Sequence, residues 1–169
     1  MKRAVLGIGS NQGDSIKILR CAVECIHRLP KTKVIKISSV YKTVPLGYSN
    51  QPDFLNAVIL VETQLTPSAL LGACLGIEAA YHRMRSFPNG PRTLDIDLIL
   101  MEDVSSNTEE LILPHPRFKE RAFVLVPLFD IFPEGIALGI PFVKEMYEVK
   151  DQGIKMTDFN INLEHADKL

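Results

Sequence analysis

The sequence predicts a single domain in which helices and strands follow the order β-α-β-β-α-β. Short apolar or β-branched runs, bounded by glycine, proline and polar residues, are typical of strands. Two longer segments carry apolar residues at helical spacing behind a capping residue, which is typical of helices that pack on a sheet. The length of 169 residues suits one domain, since about 150 residues is a usual domain size.

An apolar run near the N-terminus predicts the first strand, and a helix-capping residue after it predicts the first helix. Residues 3–8 form a short apolar segment that ends in a glycine-containing turn, which indicates a buried strand. Asp14 or Ser15 caps a helix that extends to about Leu29, and Pro30 ends it. The apolar positions of this helix are Ile16, Leu19, Val23 and Ile26.

Two strands and a second helix follow. Val34–Thr43 and Phe54–Thr63 are β-branched and partly alternating, which favours strands. Thr66 followed by Pro67 is a helix start, because proline suits the first helical position. We expect this helix to run to about Met84. Its buried positions are Leu70, Cys74, Ile77 and Tyr81.

The fourth strand and the C-terminal part complete the predicted order. Thr93–Leu100 alternates polar with apolar residues, so that Ile96, Leu98 and Leu100 face the core. After Pro141 the chain becomes more polar. We expect a helix there, followed by a short edge strand or a frayed tail.

Composition and charge exclude several classes of protein. Nineteen basic against twenty acidic side chains leave no global excess of positive charge to hold a nucleic-acid backbone. No apolar stretch approaches the roughly 18 residues of a membrane span, and the N-terminus does not resemble a signal peptide. Cys21, Cys25 and Cys74 lack the spacing of a zinc site or a disulfide framework. We therefore expect a cytoplasmic protein with no nucleic-acid or membrane partner.

Three long connections interrupt the predicted elements. They are Val44–Asp53, Arg85–Pro91 and Met101–Pro116. Long loops in compact domains are usually functional or disordered. Three of them on one small domain predict a site built from loops on a rigid sheet.

Asp95-Ile96-Asp97 is the sharpest local signal. On a strand, residues two apart share a face, so both carboxylates project together. Adjacent carboxylates repel unless a cation lies between them, and Mg²⁺ typically takes one or two carboxylates together with substrate phosphates. A solvated strand face is the simple alternative. Arg92, three residues upstream, favours nucleotide chemistry because its planar donors suit phosphate.

Other basic and aromatic residues are ambiguous one by one. Arg83 and Arg85 end the second helix and enter the adjacent loop, where cations also favour the helix dipole. Pro114 and Pro116 fix His115 in extended backbone, which is equally consistent with a rigid turn. Neither a dinucleotide-binding glycine motif nor a P-loop occurs. Any phosphates are therefore bound by side chains and metal.

Five sequence blocks together closely resemble the 6-hydroxymethyl-7,8-dihydropterin pyrophosphokinase family, over about residues 3 to 135. They are Gly9-Ser10-Asn11, Gln51-Pro52-Asp53-Phe54-Leu55-Asn56, Gly90-Pro91-Arg92-Thr93-Leu94-Asp95-Ile96-Asp97, Pro114-His115, and Arg121-x-Phe123-Val124-Leu125-x-Pro127-Leu128. Members of that family transfer pyrophosphate from ATP to a pterin alcohol in folate biosynthesis. The resemblance implies an α+β, ferredoxin-like fold with helices packed on an antiparallel sheet. Residues 141–169 would form a C-terminal extension.

The resemblance also implies roles for individual side chains. Asp95 and Asp97 would bind two Mg²⁺ ions that bridge the ATP phosphates and the pterin hydroxymethyl oxygen, with Arg83 and Arg92 completing the catalytic set. Glu78 would have a supporting role. The ATP-binding residues would be Arg83, Arg85, Arg92, Leu98, His115 and Arg121. The pterin-binding residues would be Thr43, Val44, Leu46, Phe54, Asn56 and Phe123.

The sequence departs from the family pattern near the expected nucleotide site. Pro88-Asn89 stand where the family usually carries a basic residue and a tryptophan, and this chain has no Trp. Leu75, Glu110, Ile112 and Pro116 occupy places where some members have Gln, Arg, Thr and Tyr. The first alternative is therefore a relative that binds pterin or nucleotide without turnover. The second alternative, an RNA-binding or regulatory module, lacks the basic face and exposed strand aromatics that it requires.

The expected small-molecule partners are ATP and 6-hydroxymethyl-7,8-dihydropterin. This enzyme type is sometimes fused to neighbouring enzymes of folate synthesis. A chain of 169 residues has no room for a second catalytic domain, so we expect neighbouring folate enzymes to be separate proteins. We also expect a monomer.

Overall fold

The computed structural model describes residues 1–82, 87 and 89–163. The strands of the main sheet are β1 (Lys2–Ser10), β2 (Thr32–Ile37), β3 (Tyr41–Thr43), β4 (Phe54–Thr63), β5 (Asp95–Met101) and β10 (Ile154–Met156). Two small hairpins are formed by β6 (Ser106–Asn107) with β7 (Ile112–Leu113) and by β8 (Ile136–Ala137) with β9 (Ile140–Pro141). The helices are α1 (Ser15–His27), α2 (Pro67–Ala80), α3 (Ala122–Ile131) and α4 (Val143–Val149).

The main sheet is antiparallel, with the order β10-β3-β4-β1-β5 and with β2 also paired to β4. β1 therefore lies between β4 and β5 and shares a full-length register with β4. The predicted antiparallel sheet with helices packed on it is confirmed.

Both predicted helix starts are confirmed by their caps. The Asp14 carboxylate accepts the Lys17 N–H at 3.2 Å, and the Thr66 hydroxyl accepts the Ala69 N–H at 3.3 Å. α2 ends at Ala80, before the predicted end near Met84. His82 has a φ of 55°, a left-handed conformation that cannot continue a right-handed helix.

The predicted strand Val34–Thr43 is wrong, because β2 and β3 are separate strands. β2 pairs with the C-terminal part of β4, and β3 pairs with its N-terminal part. Between them, Ser38 bonds to one residue of β4 twice. Its N–H donates to the Val58 carbonyl and its hydroxyl accepts the Val58 N–H, each at 2.9 Å. The Ser38 hydroxyl thus takes the place of a backbone carbonyl as the acceptor for Val58, and the regular strand pairing ends at Ser38.

Apolar cores lie on both faces of the sheet. One core contains Leu6, Ile96 and Leu98 under α1 and α2, and the other contains Val5 and Leu100 with α3 and α4. Leu100 is buried as expected, but in the core on the opposite face of the sheet from Ile96 and Leu98. The register of β1 with β5 shifts so that Leu6 pairs with Leu98 while Val5 pairs with Leu100. This bulge places one extra residue, Ile99, in β5 and reverses the side-chain alternation beyond it.

The C-terminal part contains the predicted helix and edge strand. α4 packs on the second core through Met146, and β10 then pairs with β3 at the sheet edge. Beyond β10 the chain contributes Ile161 to the first core. No helix in the described part of the chain is long and apolar enough to cross a membrane.

Candidate active site

Gly9 of β1 forms part of the floor of the candidate site. Gly9 pairs with Asn56 of β4 on one side and with Asp95 of β5 on the other, and Gly7 pairs with Asp97. A Cβ on Gly9 would lie 2.5 Å from the Asn56 Oδ1 atom. The absence of a side chain at Gly9 therefore leaves room for the Asn56 amide beside the two acids.

A cavity of about 750 Å³ opens above this floor. Among the residues that the structure describes, all three long connections contribute to its walls, together with strand residues and the start of α3. The lining residues are Gly9, Thr43, Val44, Leu46, Gly47, Phe54, Asn56, Phe87, Asn89, Gly90, Pro91, Arg92, Asp95, Asp97, His115, Arg117, Arg121 and Phe123. The cavity therefore lies where loops meet the sheet, at the place where the sequence predicts the site.

Asp95 and Asp97 share the cavity face of β5, while Ile96 between them is buried in the core. Arg92 Nη1 lies 2.8 Å from Asp95 Oδ2. The buried Glu78 carboxylate accepts the Ile96 N–H at 2.7 Å. The backbone between the two acids is thus held from the α2 side, which fixes the spacing of their side chains.

The two carboxylates fit a magnesium–phosphate complex. They are hard oxygen ligands that face a cavity large enough for a nucleotide. Within residues 1–82 and 89–163, no group of three or more His, Cys, Asp or Glu side chains could hold a metal ion. Two carboxylates are, however, what Mg²⁺ typically takes from a protein when phosphates and water complete its shell.

Cationic groups face the acids across the cavity. Arg121 Nη1 lies 3.9 Å from Asp97 Oδ2. Burial lowers the pKa of Arg121 from its usual value, and the Asp97 charge opposes that effect. The group nevertheless keeps its charge, since an arginine is protonated throughout the physiological range. Arg92, Arg117 and Arg121 therefore provide positive charge for a polyanionic ligand.

The surroundings of His115 favour its neutral form. Its backbone N–H donates to the Ile99 carbonyl at 2.8 Å, which ties it to β5. Burial lowers the pKa of His115 below its usual value, and the charge of Arg121 lowers it further. The Nδ1 atom accepts the Arg117 N–H at 3.2 Å. The proton of the neutral ring is therefore on Nε2, which can donate a hydrogen bond.

An aromatic and amide region lies beside the charged one. Arg92 lies over the Phe54 ring with Cζ 6.0 Å from the centroid, and Arg121 lies over the Phe123 ring at 5.5 Å. The Asn56 Nδ2 donates to the Thr43 hydroxyl at 2.7 Å. A flat heterocycle with polar edges fits such a region, since the rings offer faces and the amide offers directed hydrogen bonds.

Side-chain hydrogen bonds connect the loops around the cavity. The Asn11 Nδ2 donates to Gln51 Oε1 and to the Pro52 carbonyl, each at 2.9 Å. The Gln51 Nε2 donates to the carbonyls of Tyr48 and Asn89, each at 2.7 Å. Asn11 and Gln51 belong to the sequence blocks that carry the family resemblance. Nothing in their spacing shows that they bridge two loops.

Most of the predicted site residues come together in this cavity. They are Thr43, Val44, Leu46, Phe54, Asn56, Arg92, Asp95, Asp97, His115, Arg121 and Phe123. Arg83 and Arg85 lie outside the described residues. Leu98 does not line the cavity, because its side chain is buried in the core under α1 and α2.

Most of the positions at which the sequence departs from the family pattern do not line the cavity. Of the atypical positions, Asn89 lines it, and Pro88 lies outside the described residues. Leu75, Glu110, Ile112 and Pro116 are exposed and do not line it. Phe87, which sequence reasoning did not single out, packs edge-to-face on Tyr48 at a centroid distance of 5.1 Å at the cavity wall.

Comparison with known proteins places the chain in one family. Residues 5–133 match the model of 7,8-dihydro-6-hydroxymethylpterin-pyrophosphokinase. A 2-amino-4-hydroxy-6-hydroxymethyldihydropteridine pyrophosphokinase from Methylorubrum extorquens is 42% identical over 94% of this chain and 100% of its own length. The Bacillus subtilis protein of the same name is 44% identical over 76% of this chain and 77% of its own.

Longer relatives match over part of their length. The Schizosaccharomyces pombe folic acid synthesis protein fol1 is 36% identical over 92% of this chain, which spans 21% of that protein. The fold resembles that of HPPK-DHPS from Plasmodium falciparum, a crystal structure with pterin and p-hydroxybenzoate. The TM-score is 0.65 at 17% identity, over 95% of this chain and 45% of that chain.

The family match covers the whole Asp95–Asp97 region, and the curated relatives from M. extorquens and B. subtilis are more than 40% identical. The glycine floor, the acid pair and the aromatic and amide region all lie within the matched residues. The chain belongs to the 7,8-dihydro-6-hydroxymethylpterin-pyrophosphokinase family.

Proposed function

We propose that this chain transfers pyrophosphate from ATP to the hydroxymethyl group of 6-hydroxymethyl-7,8-dihydropterin, giving AMP and the pterin diphosphate in folate biosynthesis. One observation carries the proposal. The acid pair Asp95 and Asp97 shares a single cavity with Phe54, Asn56 and Phe123. A phosphate chain and a heterocycle can therefore bind side by side.

The pterin would lie in the aromatic and amide region. Phe54 and Phe123 would contact the two faces of the ring, and Asn56 would bond to its polar edge. The Asn56 amide is suited to this role because Gly9 leaves it space and the Thr43 hydroxyl fixes its orientation. Val44 and Leu46 would cover the remaining apolar surface of the ring.

The triphosphate would lie against the cationic side of the cavity. Arg92, His115 and Arg121 line that side, with Arg83 and Arg85 as further proposed contributors. Transfer of a pyrophosphoryl group needs in-line positioning and neutralised charge more than covalent help from the protein. The Nε2 proton of neutral His115 would donate to a phosphate oxygen.

Asp95 and Asp97 would hold two Mg²⁺ ions. Bound there with ATP, the metal supplies charge neutralisation and increases the acidity of the pterin hydroxyl. The ion pair between Arg92 and Asp95 at 2.8 Å would exchange partners when a phosphate enters, because a guanidinium binds phosphate oxygens in the same planar geometry. Closure of the surrounding loops would exclude water and prevent hydrolysis of ATP.

The finer description of the protein forms part of the same proposal. Strand order β5-β1-β4-β2 supports a ferredoxin-like arrangement of the core. We propose a monomer in the cytoplasm, with neighbouring folate enzymes as separate proteins. Size-exclusion chromatography with light scattering tests the monomer, and fractionation of cells tests the location.

The decisive experiment measures AMP formation from ATP with and without pterin and Mg²⁺. We expect AMP release that depends on both the pterin and Mg²⁺. Asp97→Asn should lower kcat by at least about 100-fold, as loss of an electrostatic group at the transition state does in other enzymes. Asp103→Asn, at the exposed turn after β5, is the matched control and should retain activity. ADP as the product would overturn the proposed pyrophosphoryl transfer, because AMP leaves only when the pterin oxygen attacks the β-phosphorus.

Metal binding is tested separately from turnover. Electron paramagnetic resonance of Mn²⁺ with a non-hydrolysable ATP analogue should show binding to the wild type and weaker binding to Asp97→Asn. A folded protein that binds pterin and nucleotide without releasing AMP would favour the alternative of a non-catalytic relative.

A further inference from the structure

We propose that Gln152 is a positioning residue that holds Arg121 in the active site. Gln152 lies in the C-terminal segment, beyond the residues 5–133 that match the family model. The inference rests on the proposed function, because it assigns Gln152 to the reaction through Arg121.

The Gln152 side chain bonds to the backbone on both sides of Arg121. Its Oε1 accepts the Ala122 N–H at 3.1 Å, and its Nε2 donates to the Glu120 carbonyl at 3.2 Å. One amide thus fixes the residue before Arg121 and the residue after it. Such a two-point contact restricts the direction in which the side chain between them leaves the backbone.

This contact supplies a helix cap that Arg121 does not provide. Arg121 stands at the N-cap position of α3 and makes no side-chain capping bond. Its guanidinium instead faces Asp97 and the Phe123 ring. The first N–H groups of a helix need external acceptors. Gln152 therefore caps α3 from another segment and leaves Arg121 to the cavity.

Gln152 is itself held in a tight turn between α4 and β10. Its N–H donates to the Val149 carbonyl at 3.0 Å. The next residue, Gly153, accepts the Val44 N–H at 3.1 Å and has a φ of 68°. Neighbouring residues of the C-terminal segment thus contact two separate walls of the cavity. The turn links the wall of Val44 to the wall of Arg121.

These contacts bear on turnover more than on folding. Gln152 is exposed, and surface hydrogen bonds add little to stability. A reacting group, in contrast, must be held within about 0.5 Å of its productive position. A small shift of Arg121 would therefore reduce activity while the fold persists.

The test compares Gln152→Ala, Gln152→Asn and Asp151→Ala in full-length protein by steady-state kinetics and thermal unfolding. Gln152→Ala should lower kcat/KM for ATP by about 3- to 10-fold, the effect of one or two lost hydrogen bonds. Gln152→Asn keeps the amide on a shorter side chain that cannot reach both backbone groups, so it should also lower kcat/KM for ATP. Asp151→Ala, at the neighbouring exposed position, should match the wild type.

A double-mutant cycle with Arg121→Ala separates positioning from general destabilisation. In the Arg121→Ala background, Gln152→Ala should have almost no further effect on kcat/KM, because residues that act through one group are not additive. Multiplicative effects of the two substitutions, or wild-type kinetics for both Gln152 variants, would overturn the inference. Absence of pterin-dependent AMP release from the wild type would instead overturn the proposed function.

Discussion

Asn11 and Arg92 are joined by two hydrogen bonds that close a ring between the end of β1 and the loop before β5. The Arg92 N–H donates to Asn11 Oδ1 at 2.9 Å, and the Asn11 N–H donates to the Arg92 carbonyl at 3.1 Å. The Asn11 Nδ2 bonds in turn to Gln51 and Pro52 on a second loop. One buried amide therefore sets the relative position of both loops.

Asn11→Ala should impair both stability and activity. The substitution leaves the Arg92 N–H and the Pro52 carbonyl without their partner, so we expect a loss of roughly 2–4 kcal/mol in the free energy of unfolding. Displacement of Arg92 should reduce kcat/KM by more than about tenfold. Urea denaturation and AMP release measure the two effects. The exposed neighbour Gln12→Ala is the control, and normal activity of Asn11→Ala would contradict this account.

Gly9→Ala should weaken pterin binding specifically. Its Cβ would lie 2.5 Å from Asn56 Oδ1, which forces the amide out of place. We expect the KM for pterin to rise about tenfold or more, since misplacement of a hydrogen-bonding group by about 1 Å is costly. Gly7→Ala is a matched control in the same strand, because its Cβ would meet only Ile99 at an ordinary 3.6 Å. Equal effects of the two substitutions would contradict a role for the Asn56 position.

His115 should titrate below the usual histidine pKa, because burial and the charge of Arg121 both lower it. The unfolded chain then takes up a proton near pH 6.5 while the folded protein does not. Stability should therefore fall as the pH drops from about 6.5 towards the lowered pKa. His115→Gln should remove this part of the pH dependence.

Nuclear magnetic resonance of the imidazole signals checks the His115 prediction, with His115→Gln identifying the signal. Arg121→Ala should raise the pKa, since it removes a nearby positive charge. A His115 midpoint at or above the usual value in the wild type would show that the ring is more solvated than the structure indicates.

Tyr41→Phe should destabilise the fold by about 1–3 kcal/mol. The Tyr41 hydroxyl donates to both oxygens of Asp130, each at 3.0 Å, and the Ser39 N–H donates to the same carboxylate. These bonds tie β3 to the end of α3. Tyr147→Phe, on an exposed ring of α4, should change stability by less than about 0.5 kcal/mol. Chemical denaturation of both variants gives the comparison.

The sequence predicted the features that depend on local pattern. Thr66-Pro67 marked the start of α2, and the alternation through Asp95 and Asp97 placed both acids on one face. Such features depend on neighbours in the chain, so their signal is contained in a few consecutive residues. The family blocks also identify Phe54 and Phe123 as candidate ligand-binding residues, although neither residue is distinctive on its own.

What the sequence did not predict depends on contacts between distant segments. The split between β2 and β3 arises from Ser38 bonding to Val58, and the reversed side of Leu100 arises from a bulge set by pairing with β1. Likewise, Gln152 meets the backbone around Arg121 only after the chain folds. An irregular segment has no periodic pattern of polar and apolar residues. The partner of a polar residue in such a segment therefore cannot be inferred from the neighbouring sequence.

The C-terminal segment belongs to both cores. Met146 is buried on the α3 side of the sheet, and Ile161 is buried on the α1 and α2 side. The Arg20 side chain of α1 also donates to the carbonyl of Asn160, the residue before Ile161, at 2.9 Å. Detachment of this segment would uncover apolar surface on both layers at once. We therefore expect the two layers to melt together, in one cooperative transition.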